Sequence, residues 1–206
     1  MITRRRLIGV AGVAACAAVA TVIAHRRAVP VVEERTRDLL ARLARLGPLP
    51  DDDAVTQEQL NEFGDIIDRI ATAPPDPAYI RPLLNTFGYG DGFAGYVHGA
   101  NALLKQDRGA VVEAALDTLE TGRAGPRQWA METLRRMREG DRGNPPPSAR
   151  EVRAAEAALR GPPLTAYSAV YWAYWVEGPV GERALELASR VATGEWRATA
   201  AELLAK

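Results

Sequence analysis

Pro126-Arg127-Gln128-Trp129-Ala130-Met131-Glu132-Thr133-Leu134-Arg135-Arg136-Met137-Arg138 is the stretch that decides the fold. It reads as one helix, and Ala130 inside it belongs to a series. Gly95, Ala130, Thr165 and Ala200 stand 35 residues apart and are all small, while Arg127 and Arg197 differ by 70, two such periods. Small residues at a fixed point of successive helices let neighbours approach closely, as stacked hairpins require. Working outward, short helices pair as Asp76–Phe87 with Gly92–Lys105, Gly109–Thr121 with Pro126–Arg138, Ser148–Arg160 with Pro163–Trp175, and Val180–Val191 with Glu195–Ala205. The small residues fall on the second helix of each pair.

Residues 31–75 precede the repeat as a helical hairpin. Its first helix runs from Val31 to Leu46 and is stopped by Gly47-Pro48-Leu49-Pro50, and Asp51-Asp52-Asp53 continues a solvated loop. The second starts at Thr56, which has capping-box spacing to Gln59. Its apolar stripe is Leu60, Phe63, Ile66, Ile67 and Ile70, and Pro74-Pro75 ends it. Asp76-Pro77 then opens the first repeat helix with an acidic N-cap and a proline in the first turn. No segment alternates with β-branched enrichment, so the expectation is all-α.

Arg127-Gln128-Trp129-Ala130 with Leu134, and Trp196-Arg197-Ala198-Thr199-Ala200-Ala201-Glu202-Leu203, resemble the second helix of HEAT repeats. Val152-Arg153-Ala154-Ala155 with Ala158-Leu159 is similar, but falls on the first helix of its pair. The resemblance covers residues 76–206. It implies a right-handed stack of four antiparallel helix pairs, an α-solenoid whose second helices line a concave, protein-binding surface.

Residues 1–30 read as an address rather than as fold. Thr3-Arg4-Arg5-Arg6-Leu7-Ile8 resembles the twin-arginine export motif, with Arg4 and Arg5 as the pair. Leu7 to Ala24 is uncharged and rich in Ala, Val and Gly, and Arg26-Arg27 follows it. As a helix this run would rise roughly 27 Å, close to a hydrocarbon core, so an uncleaved anchor through residues 7–24 competes with a cleaved signal. Val13-Ala14-Ala15-Cys16 resembles a lipobox, making lipidation at Cys16 a third reading, although the apolar run continues past the cysteine. The expected location is extracytoplasmic in a bacterial-type cell, either membrane-anchored facing outward or exported.

Charge limits the partners. Five of the 26 basic residues lie in the first 30 positions and all 26 acidic residues come later, so the rest of the chain carries 21 − 26 = −5. A mildly acidic body argues against nucleic acid, and Arg135, Arg136, Arg138 and Arg142 form the one dense basic patch. With His25, His98 and a single cysteine, a His/Cys zinc site cannot be assembled, and no cofactor or metal is expected.

Three groups are candidates for chemistry. Gly88-Tyr89-Gly90-Asp91-Gly92-Phe93 precedes a helix, as phosphate-cradling loops do, but lacks a P-loop's spacing and Lys-Ser/Thr; an inter-helix turn with positive-φ glycines and Asp91 as N-cap is expected instead. His98 is expected to be partly buried and hydrogen-bonded rather than a general base. Asp65 with Asp68, and Asp117 with Glu120, share helix faces and read as solvated.

Tyr167, Tyr171, Trp172, Tyr174 and Trp175 span about 160° of one helix, wider than a core stripe. Core packing between repeats would absorb several of them, leaving one or two as surface anchors; all five are the partner-binding candidates, since Tyr and Trp are enriched at interface hot spots. The expected function is therefore a non-enzymatic scaffold that binds another protein, with an immunity-type toxin neutraliser as its specific form. A ligand-binding module or enzyme built on Gly88–His98 is the alternative.

Overall fold

The computed structural model describes residues 35–139 and 145–205. The export or anchor segment, residues 31–34 of the expected first helix, and Arg142 lie outside them. By compactness the chain divides into Met1–Leu39 and Leu40–Lys206, and the second unit carries the core and the candidate site.

All regular structure among the described residues is helical. Helix α1 covers residues 35–46 and stops at Gly47, whose φ is +65°. There follow α2 (Gln57–Thr72), a 3₁₀ turn (Pro77–Tyr79), α3 (Ile80–Thr86), α4 (Gly95–Leu103), α5 (Arg108–Thr121) and α6 (Ala124–Arg138). The C-terminal part holds α7 (Ala149–Ala158), α8 (Pro163–Trp175), α9 (Pro179–Val191) and α10 (Trp196–Leu204).

Side-chain caps set many of the starts. Thr56 and Gln59 close a reciprocal capping box on α2, at 3.2 and 3.0 Å. Asp107 Oδ1 accepts the Ala110 N–H at 2.8 Å, and Ser148 Oγ accepts the Glu151 N–H at 3.1 Å. Such caps satisfy N–H groups that have no intrahelical partner. Pro163 and Pro179 supply the first turns of α8 and α9.

The helices expected at Asp76–Phe87 and Gly92–Lys105 are both shorter in the structure. Asp76 does cap, accepting the Ala78 N–H, but it opens a 3₁₀ turn before α3. Asp91 does not cap α4. Gly92, Phe93 and Ala94 instead take three consecutive left-handed conformations, with φ of 57°, 51° and 68°, so α4 starts at Gly95. Each non-glycine residue in such a turn costs roughly 1–2 kcal/mol.

Along the chain α3 touches α5, α5 touches α7 and α7 touches α9, while α4, α6, α8 and α10 touch in the same succession. Helices α5 and α6, α7 and α8, and α9 and α10 also pack as pairs, but the first expected pair does not: α4 packs on α2 rather than on α3. Ala130, Thr165 and Ala200 of the 35-residue series are buried. Gly95 is not crowded, because a Cβ there would meet only Leu60 Cδ2 at 3.8 Å.

The N-terminal part of this unit is joined by aromatic rings. Phe63 of α2, Phe87 after α3, Tyr96 of α4 and Trp129 of α6 contact one another at centroid distances of 5.3–5.8 Å, mostly edge to face. Pairs of this kind add roughly 0.5–1.5 kcal/mol beyond their burial. Gly99 makes room for them, since a Cβ there would fall 2.7 Å from Phe87 Cε1. Burial pushes the Tyr96 hydroxyl up to about 12, and that hydroxyl donates to the Pro50 carbonyl at 3.3 Å.

Candidate functional site

Helix α6 is charged, yet twelve of its fifteen residues are buried. Its charges close on one another. Glu132 accepts from Arg135 Nε and Nη2 at 2.7 Å each, from Arg136 Nε at 2.7 Å, and from Ser168 Oγ of α8 at 3.0 Å. Arg135 Nη1 also donates to Glu139 at 2.9 Å, and Arg136 Nη1 to Asn101 Oδ1 of α4 at 3.2 Å. Burial pushes the Glu132 carboxyl up, but the guanidiniums of Arg135 and Arg136 together outweigh it and hold its pKa below the ordinary value. Arg135 is held charged, first by Glu132.

One turn on, Arg138 pairs across helices instead. Its Nη2 binds both oxygens of Glu151 on α7 at 2.9 Å, and its Nη1 donates to the Pro145 carbonyl. Glu151 also accepts the Trp172 indole N–H at 2.9 Å. The expected basic patch is therefore not a basic surface: Arg135 and Arg138 are buried in ion pairs, because carboxylates three, four and thirteen residues away reach them.

The five aromatic candidates separate. Trp172 is fully buried, which places it in the core and not on a partner surface. Tyr174 is 40% exposed and meets Trp175 edge to face at 5.2 Å. Tyr167 and Tyr171 are half-buried, with ring centroids 4.8 Å apart. Trp196 of α10 joins them, 4.9 Å from Tyr167. Burial raises the pKa of Tyr167, and the Arg135 charge beside it opposes the rise. Hydrogen bonds thus run from Asn101 of α4 across Arg136 and Glu132 of α6 to Ser168 of α8, and the next residue before it, Tyr167, carries the ring contacts to Tyr171 and to Trp196 of α10. In the sequence Trp196 stands out only as a repeat marker. The Glu132 network has a local signal, the i+3 and i+4 spacing of Arg135 and Arg136, that the basic-patch expectation leaves out.

The glycine-rich loop is held by protein groups. Asp52 Oδ2 and Oδ1 accept the N–H groups of Asp91 and Gly92 at 2.9 and 2.8 Å, so a carboxylate occupies the amides that a phosphate would use. Asp51 Oδ1 accepts the Tyr89 N–H at 3.0 Å. From α6, Gln128 both donates to and accepts from Gly90, and Trp129 Nε1 donates to the Gly90 carbonyl at 3.1 Å. Gly90 and Gly92 have positive φ, as expected of this turn. Asp91 is exposed, and so is His98, contrary to the expected partly buried histidine.

Of the four carboxylates, Asp65, Asp117 and Glu120 are ion-paired rather than merely solvated, whereas Asp68 is exposed. Asp65 bonds Arg42 and Arg69. Asp117 and Glu120 both grip Arg150, which holds their carboxyls below the usual range, and Asp117 also bonds Arg81. A cleft of about 370 Å³ beside them is lined by Arg81, Asn85, Asp117, Thr121 and Arg123. Among the described residues no group of three or more His, Cys, Asp or Glu could hold a metal, and no helix is long and apolar enough to cross a membrane. Compared with known protein families, curated proteins and solved structures, the chain matches none.

Proposed function

We propose that this chain is a protein-binding scaffold, a HEAT-like stack of helix pairs whose second helices α4, α6, α8 and α10 carry the partner surface. The observation that carries the reading is the half-buried trio Tyr167, Tyr171 and Trp196 beside the closed ion-pair network of α6. Aromatic rings held by one another lose little entropy on binding, and arginines already paired stay in place, which is the composition of interface hot spots. The N-terminal segment exports this scaffold or tethers it to a membrane, facing outward. Neutralising a toxin, as immunity-type proteins do, is the specific form of that role.

The test is a photo-crosslinker, p-benzoylphenylalanine, placed at Tyr171 and, as a control, at the exposed Arg153 of α7, in the producing cell. A discrete adduct from position 171 alone is the expected result. No adduct, or the same adducts from both positions, sinks the proposal. Fractionation with intact mass of the product separates tether from export: full-length protein in the membrane means an anchor, and a soluble product starting near residue 21–30 means a cleaved signal.

A further inference from the structure

Phe93 is the most exposed large apolar side chain among the described residues, at 72%. It also sits in the middle of the left-handed run Gly92-Phe93-Ala94. Both facts count against phenylalanine on folding grounds: its ring gains little burial, and its backbone is strained where glycine would be relaxed. The loop beneath it is nevertheless fixed from two sides, by Asp52 on the Asp91 and Gly92 amides and by Gln128 and Trp129 on Gly90. A rigid base therefore projects one aromatic ring into solvent.

The same hydrogen bonds bring a second acidic loop against the one that carries the ring. The contacts of Asp51 and Asp52 with Tyr89, Asp91 and Gly92 bring the 51–53 loop against the 88–93 loop. Asp51, Asp53 and Asp91 are all exposed there. The chain beyond residue 30 is acidic as well, at 21 − 26 = −5. An anionic rim disfavours anionic lipid headgroups and nucleic acid alike, and complements lysine and arginine.

We propose that Phe93 anchors a second interaction surface, independent of Tyr167, Tyr171 and Trp196, whose occupant is a segment of a partner protein carrying apolar residues flanked by lysine or arginine. The aromatic anchor gives affinity at low entropic cost, and the carboxylates select a basic partner and speed its arrival.

The probe is a phage-displayed library of random 12-residue peptides, selected on the immobilised full chain and depleted on its Phe93→Ala variant. Enriched peptides are expected to place Lys or Arg beside apolar residues. As synthetic peptides they should bind Phe93→Ala roughly tenfold or more weakly, be weakened by Asp91→Asn and by salt, and bind Tyr171→Ala unchanged. Phe93→Gly, which relieves the left-handed strain, serves as the folding control: it should lose binding while its Tm stays level or rises. Enrichment of peptides without basic residues, no enrichment, undiminished binding to Phe93→Ala, or loss on Tyr171→Ala instead would each overturn the proposal.

Discussion

Replacing Glu151 with alanine strands two buried groups at once. The Arg138 guanidinium and the Trp172 indole N–H both depend on that carboxylate, and Arg138, Glu151 and Trp172 are all buried. An uncompensated buried charge costs about 3–5 kcal/mol, and an orphaned buried N–H about 1–3 kcal/mol. The two overlap, since one carboxylate serves both, and the Pro145 carbonyl still receives Arg138 Nη1. The expected loss is therefore about 4–5 kcal/mol. For a chain of this size, at roughly 2–4 °C per kcal/mol, Tm should fall by about 8–20 °C. Urea denaturation with a double-mutant cycle checks it. Arg138→Met with Glu151→Leu should recover at least about 2 kcal/mol over the sum of the single changes, because the second removes the charge that the first leaves buried. A Glu151→Ala loss below about 1 kcal/mol, or strict additivity, would refute the reasoning.

Three further outcomes follow from the same geometry. Gly99→Ala should destabilise by about 1–3 kcal/mol in thermal denaturation, because its Cβ would lie 2.7 Å from the Phe87 ring and 3.1 Å from that of Phe63. The Glu132 pKa is lower in the folded protein than unfolded, so its contribution is present above the unfolded value and disappears as pH falls through the folded one; Glu132→Gln should flatten the acid limb of stability measured below about pH 4.5. Asp52→Ala frees the amides of Asp91 and Gly92 and should cost about 1–3 kcal/mol, with faster hydrogen exchange at those two amides as its signature.

The helices were legible because their signals are local. Thr56 with Gln59, Asp107, Ser148, and the prolines at 163 and 179 each act within four residues, and structure and sequence agree there to within one or two positions. The start of α4 was not legible, because what makes the left-handed turn tolerable is Asp52, some 40 residues away. The same holds for the aromatic helix. Its five rings cover about 160° of α8, and periodicity cannot say which of them the neighbours cover. Only the arrival of Glu151 from α7 assigns Trp172 to the core, and only Trp196 from α10 completes the trio with Tyr167 and Tyr171. Arg135 and Arg138 looked like a basic patch for the same reason, since charge is counted along the chain but neutralised across it.

That neutralisation separates the two proposed surfaces physically. On α6, Arg135 and Arg136 face Glu132 and Glu139, two cations against two carboxylates, so the floor beside Tyr167 has no charge to spare. A partner gains there from aromatic area, and its affinity should change little between low and physiological salt. The Phe93 loop has the opposite balance, with Asp91 exposed two residues from the ring and Asp51 and Asp53 exposed on the loop hydrogen-bonded to it. Binding there should weaken steeply as salt rises, chiefly through a slower association rate, because screened charges lose their steering first. A salt titration of the association and dissociation rates thus reports which surface a given partner uses. A partner lost with Tyr171→Ala whose association rate still falls steeply with salt would contradict the neutral floor derived from the α6 ion pairs.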